Sequence, residues 1–233
     1  MKKTYILFST LTILLFISSC VSNETANSDT VKQTEIYQGY NITYNAGEKE
    51  LSADATFRFG GSAGTTLILN SPAGVTFNDE AMAMGKSIFS GTFYEINKQV
   101  NFNNGFKFIY TDTDKKVYTN KASIETIEFD NAPTKASLKE GFTISWKGKS
   151  LGNNETVYLS IEDKNSFNKS ISTNIAGTNE IKVTSTDLKD LKPGSVNLTL
   201  IREISSSLNE ATHLGGKLHI KYISCKTGIN IEN

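Results

Sequence analysis

The sequence predicts an all-β fold made of two tandem β-sandwich domains. Three observations lead there: apolar residues recur with a period of two, turn-forming residues separate these runs, and no stretch carries a helical apolar stripe of useful length. The clearest run is Leu51, Ala53, Ala55, Phe57 and Phe59, which alternate with Ser52, Asp54, Thr56 and Arg58. Such alternation places one face of a strand in a core and the other in water.

The remaining runs follow in order. Phe106, Phe108 and Tyr110 repeat the pattern, then Phe142, Ile144 and Trp146, then Val157, Leu159 and Ile161. Val196, Leu198 and Leu200 form the next run, and Leu218, Ile220 and Tyr222 the last. Asn104-Gly105, Gly152-Asn153-Asn154, Pro193-Gly194 and Gly215-Gly216 supply turns between them. The domain boundary is expected in "DNAPTKAS", Asp130 to Ser137, because Pro133 cannot donate to a sheet ladder and small polar residues surround it. The predicted domains are 36–130 and 134–233. In the second, "GFTISWKG", "ETVYLSIED", "EIKVTSTDLKDLKPGSVNLTLIRE" and "GKLHIKYIS" read as successive strands. The stretch "TDLKDLKPGSVNLTLIRE" resembles the corner before a late strand in bacterial immunoglobulin-like and fibronectin-like domains. That resemblance implies an immunoglobulin-like second sandwich, without the cysteine pair of antibody domains.

The N-terminus, "MKKTYILFSTLTILLFISSC", has Lys2 and Lys3 ahead of an apolar stretch from about Tyr5 to Ile17. That stretch is shorter than the ~20 residues a spanning helix needs, and its build is that of a secretory leader. Ile17-Ser18-Ser19-Cys20 resembles the lipobox of bacterial lipoproteins. The resemblance implies a signal peptide over 1–19, cleavage before Cys20, and acyl chains carried on Cys20. Each buried methylene contributes about 0.8 kcal/mol, so several chains anchor a protein stably. Val21 follows, where lipoproteins held at the inner membrane tend to have Asp, so the resemblance implies the outer membrane. From Val21 to Glu35 the chain is polar and small, and the expectation is a flexible tether over 20–35 with a reach of roughly 20 Å. Within it, Asp29-Thr30-Val31 resembles the sites at which some bacteria attach O-glycans, but a solvated linker is the preferred reading of these three residues.

The chain carries 24 basic and 24 acidic residues, and removing a leader with two lysines leaves a net charge of about −2. No basic stripe interleaved with aromatics is present, so nucleic acid is not an expected partner. The expected partners are a membrane, through the lipid, and an envelope protein or a glycan.

Candidate chemistry is sparse. Gly60-Gly61-Ser62-Ala63-Gly64 fits the G-x-S-x-G pattern of hydrolases, which place the serine on a turn between a strand and a helix. Here alternation continues on both sides, so Ser62 is expected in a hairpin loop whose glycines supply positive φ. Of the two histidines, His219 falls on the outward face of a strand and His213 in a loop. Asp112 and Asp114 form a D-x-D pair, but Lys116 and Val117 stand where a calcium loop needs an oxygen ligand and glycine, so a hairpin turn is expected. Two histidines without close ligand spacing, and one cysteine beyond Cys20, make no zinc site. Cys225 is expected to be buried near the end of the last strand, the alternative being a free thiol. Trp146 keeps step with Phe142 and Ile144 and is expected in the core. Tyr37, Tyr40 and Tyr44 are candidates for an exposed aromatic cluster, or for half-buried strand packing. No catalytic residue, cofactor or metal is expected. The sequence therefore predicts a non-enzymatic, lipid-anchored binding, adhesion or structural-assembly module. The rivals are a glycan-capturing accessory of polysaccharide uptake and an envelope hydrolase.

Overall fold

The computed structural model describes residues 24–165 and 168–233. The leader and Cys20 lie outside the described residues. The first half contains β1 (Thr25–Asn27), β2 (Ile36–Asn45), β3 (Glu50–Phe59), β4 (Thr65–Ile68), β5 (Gly74–Phe77), β6 (Glu80–Ala81), β7 (Ala83–Ser87), β8 (Gly91–Gln99), β9 (Phe106–Thr111) and β10 (Val117–Ala122). The second contains β11 (Glu128–Asn131), β12 (Lys135–Ser137), β13 (Phe142–Lys147), β14 (Glu155–Asp163), β15 (Asn168–Thr173), β16 (Glu180–Val183), β17 (Gly194–Ser207), β18 (Gly216–Ile223) and β19 (Thr227–Glu232). The fold is all-β and built of sandwiched sheets.

Twelve of these strands form one long sheet, ordered β1-β4-β3-β2-β18-β17-β14-β15, with β7, β8, β12 and β19 attached to it. A four-stranded sheet, β10-β9-β5-β6, covers its first half. Contact between the two layers is aromatic: the Tyr40 ring stacks on Phe108 at 4.4 Å, and Phe57 lies 4.3 Å from Tyr110. A three-stranded sheet, β11-β13-β16, forms the second layer of the other half. Its Ile144 and Trp146 join Val157, Leu159, Ile161, Leu198 and Leu200 in the core. The alternating runs read from the sequence supply the inward face of each strand: Leu51, Ala53, Ala55 and Phe57 are buried, as are Leu218, Ile220 and Tyr222.

Three features depart from the sequence reading. Residues 25–35, expected within a flexible tether, are packed on the first sandwich. β1 pairs in parallel with β4 (Thr25 opposite Thr66), Ser28 and Gln33 are buried, and the Gln33 amide donates to the Ser28 and Val31 carbonyls at 2.6 and 2.8 Å. Backbone pairing and buried amide bonds hold this segment, so its few apolar residues gave no sign of order. The boundary at Pro133 also needs correction. β11 pairs with β13 and so belongs to the second sandwich. More importantly, β18 pairs in parallel with β2 over its whole length, from Gly216–Gln38 to Ile223–Asn45. The two sandwiches share a sheet across that seam. β19, which adds to β17 and closes parallel onto β12, is a strand the sequence reading did not separate.

Candidate functional site

A concave feature lies where the first sandwich meets the seam. β2 and β3 are joined by a turn at 46–49, in which Asn45 Oδ1 accepts the Gly47 N–H at 3.0 Å and Lys49 takes a left-handed φ of 52°. Beside this turn, the ends of β2, β3, β5 and β8 leave a cleft of about 280 Å³. Tyr44, Leu51, Phe77, Val100 and Phe106 form its apolar wall, while Asn78, Asn101, Asn103, Lys98 and Glu80 surround the opening. Tyr44 is fixed by donating its hydroxyl to the Val100 carbonyl at 3.1 Å. Phe102 packs 5.0 Å from the rings of both Tyr44 and Tyr222, so the wall is braced across the seam. Asn78 and Asp79 occupy the two-residue β5–β6 turn with φ of 47° and 67°, and Asn78 Oδ1 accepts the Lys107 N–H at 2.9 Å. Lys98 and Glu80 form an ion pair at the mouth. An apolar wall with amide side chains in the same lining suits a ligand that is polar with one apolar face. A second cleft of about 320 Å³ is lined by Ala46, Glu128, Phe129, Tyr222, Cys225 and Lys226, among others.

The residues singled out from the sequence are scattered. Ser62 is exposed in the loop of the β3–β4 hairpin, after Gly60 and Gly61 with φ of 86° and 117°. A strand, not a helix, follows it. His219 is on β18 and His213 is exposed in the preceding loop. Asp112 is buried as the anchor of the β9–β10 turn: its Oδ1 accepts the Lys116 N–H at 2.8 Å, and its other oxygen accepts the Tyr118 hydroxyl at 3.4 Å. Burial, with the Asp112 charge beside it, pushes the Tyr118 phenol up to about 12. Asp114 lies in the same turn. Among the described residues, no group of three His, Cys, Asp or Glu is placed to hold a metal ion.

Trp146 is in the core, with 1% of its surface exposed. The exposed tyrosine cluster does not form: Tyr40 and Tyr44 are buried and Tyr37 is half-buried. Strand parity explains this, since Tyr40 and Tyr44 share the inward face of β2 with Ile36, Gln38 and Ile42. Cys225, expected to be buried, is an exposed free thiol. Thr30 is exposed and donates to the Asn27 carbonyl at 2.8 Å. The cleft itself was missed. Its one sequence signal is the Asn-rich "VNFNNGF" (100–106), whose loop supplies four of the residues around it or braced against it.

No protein-family model matches the chain, and no curated protein matches it in sequence. Among solved structures, a tetra-tandem repeat from the extending region of a large adhesion protein is similar at 10% identity and a TM-score of 0.28, covering 84% of this chain and 49% of that one. SGBP-B from the mixed-linkage glucan utilization locus of Bacteroides ovatus, solved with a mixed-linkage heptasaccharide, is similar at 10% identity and a TM-score of 0.26, covering 78% and 54%. A bacterial ice-binding adhesin gives 13% identity and a TM-score of 0.23, covering 84% and 66%. The chain thus spans about half to two thirds of the length of the structures it matches.

Proposed function

We propose that this chain is a lipid-anchored, non-enzymatic binding module of the bacterial outer membrane. Cys20 carries the lipid, and the cleft beside Tyr44 receives an envelope partner. The observation that carries the proposal is the placement of the cleft. The chain enters the first sandwich at Glu24, beside Thr66 and the C-terminal end of β3, whereas the cleft lies at the opposite end of that strand, beside Leu51. Ten residues of β3 separate the two ends by about 30 Å at 3.2–3.4 Å per residue. An anchor at Cys20 therefore leaves the cleft clear of the headgroups. Preformed clefts at the junction of two packed bodies are common ligand sites.

A second reading, glycan capture, draws support from the amides of Asn78, Asn101 and Asn103 around the opening, which match sugar hydroxyls as donors and acceptors. The buried state of Trp146, Tyr40 and Tyr44 weighs against a flat exposed sugar platform.

Two variants of the full chain test these statements. Cys20→Ala should lose the acyl mass and leave the detergent phase; wild-type protein without acyl mass would refute the anchor. Asn101→Trp should fill the cleft mouth. Detergent-solubilised protein is titrated with envelope oligosaccharides and, separately, with purified envelope proteins. Binding abolished by Asn101→Trp supports the cleft, and the ligand that binds chooses between the readings. Binding unaffected by that substitution sinks the assignment.

A further inference from the structure

We infer that the tip of the β7–β8 hairpin, Ile88 and Phe89, docks into the lipid surface to which the chain is anchored. The inference rests on the anchor at Cys20. Ile88 and Phe89 are 77% and 80% exposed, and Met84 on the same hairpin is 50% exposed. Adjacent large apolar side chains this open to water mark a contact surface.

The tip is built to be presented. Ser87 pairs with Gly91, leaving a three-residue loop closed by Gly91 at a φ of 76°, a common hairpin geometry. The Phe89 N–H donates to Ser87 Oγ at 3.1 Å. Gly91 is required here twice over, because a Cβ would also lie 2.4 Å from Thr66 Oγ1. The Arg58 guanidinium ties the base down, donating to the Ser90 carbonyl at 3.1 Å and to the Gly64 carbonyl at 3.0 Å.

The occupant follows from where the chain enters. The Thr66 N–H and hydroxyl donate to the Glu24 carbonyl at 3.1 and 3.0 Å, and the Thr25 hydroxyl lies 3.3 Å from that of Thr92, next to Gly91. Five residues separate Cys20 from Thr25 and three separate Phe89 from Thr92, so their covalent reaches are at most about 18 Å and 11 Å. The lipid and the tip therefore lie at one end of the first sandwich, within reach of one membrane surface. Lys86, exposed beside the tip, suits anionic headgroups, with Glu24 the nearby opposing charge.

The test uses the lipidated full chain bearing Phe89→Trp, in phosphatidylethanolamine–phosphatidylglycerol vesicles, with Trp146 as a buried background. The new indole should emit at shorter wavelength than in the detergent-free Cys20→Ala background, and should be quenched by brominated acyl chains and protected from iodide. Acyl mass is measured on the same sample. Acyl mass present with an indole still open to iodide and untouched by bromolipid would overturn the docking and leave the anchor standing. Absence of acyl mass would overturn both. Protection of the indole without vesicles would mean that a second copy covers the tip, and would also overturn the inference.

Discussion

Arg202 is fully buried on β17, and its environment shows how a charge is kept there. Its Nε and Nη2 donate to Glu155 Oε2 at 3.2 and 2.5 Å, Nη1 donates to the Lys149 carbonyl at 2.9 Å, and Nη2 also donates to the Ser150 carbonyl at 3.1 Å. The guanidinium fastens the loop before β14 to the middle of the long sheet. Arg202→Ala leaves the Glu155 carboxylate and two carbonyls without these donors, and breaking a buried pair this way costs about 3–5 kcal/mol. Urea denaturation should show that loss, whereas an exposed ion pair such as Lys135–Glu232 should show almost none on removal. Trp146 makes the complementary point. Its Nε1–H finds no acceptor among the described residues, and the side chain serves the core through its packed apolar volume. Its emission should be blue-shifted and resistant to iodide, and Trp146→Ala should cost about 3–5 kcal/mol. Free iodide quenching would contradict its placement.

At the scale of elements, cross-strand neighbours govern the outward faces. Asn41, Asp54 and Glu95 stand side by side on β2, β3 and β8, and the Asn41 amide donates to Asp54 at 2.7 Å. Burial holds the Asp54 carboxyl above its ordinary value, and the Glu95 charge adds to this against the Asn41 bond. A raised carboxyl binds its proton more tightly folded than unfolded. Its ionisation therefore costs stability that appears as pH rises from the unfolded value near 3.9 through the folded one, and persists at neutral pH. Asp54→Asn should stabilise the protein at pH 7, with the gain vanishing below about pH 4. An equal urea midpoint for both proteins at pH 7 would refute this. The central strands were legible because their alternation is long. β1 was not, since Thr25, Thr66 and Thr92 join it to β4 and β8 through hydroxyls that leave no apolar period. Cys225 was legible but misread: Leu218, Ile220 and Tyr222 point inward, so parity sends Ser224 in and Cys225 out. The cleft was illegible because its wall comes from four strand ends and a loop far apart in sequence.

For the whole molecule, the parallel seam between β2 and β18 is the dominant fact. It places Gly216–Ile223 against residues almost 180 positions earlier, and Tyr222 packs 5.6 Å from Tyr44 across it. A fragment 134–225 lacks β11 and β19, and should not unfold cooperatively when expressed alone. Residues 124–233 keep both strands and the buried Ile127, and should fold, although with β18 exposed as an edge and a lower urea midpoint than the full chain. Cooperative unfolding of 134–225 with native stability would show that the seam and the added strands contribute little.

The same seam dictates an order of events during biosynthesis. β2 has β3 on one side and only β18 on the other. A chain made from its N-terminus can form the β2–β3 hairpin early, yet the open side of β2 must wait for residues almost 180 positions later. Until they arrive, a ten-residue strand stands with unpaired backbone donors and acceptors, the template on which a neighbouring nascent chain adds by mistake. The nascent protein thus carries a temporary aggregation hazard that its finished form has erased, and slowing delivery of residues 216–223 should lengthen the interval in which a holdase chaperone is needed.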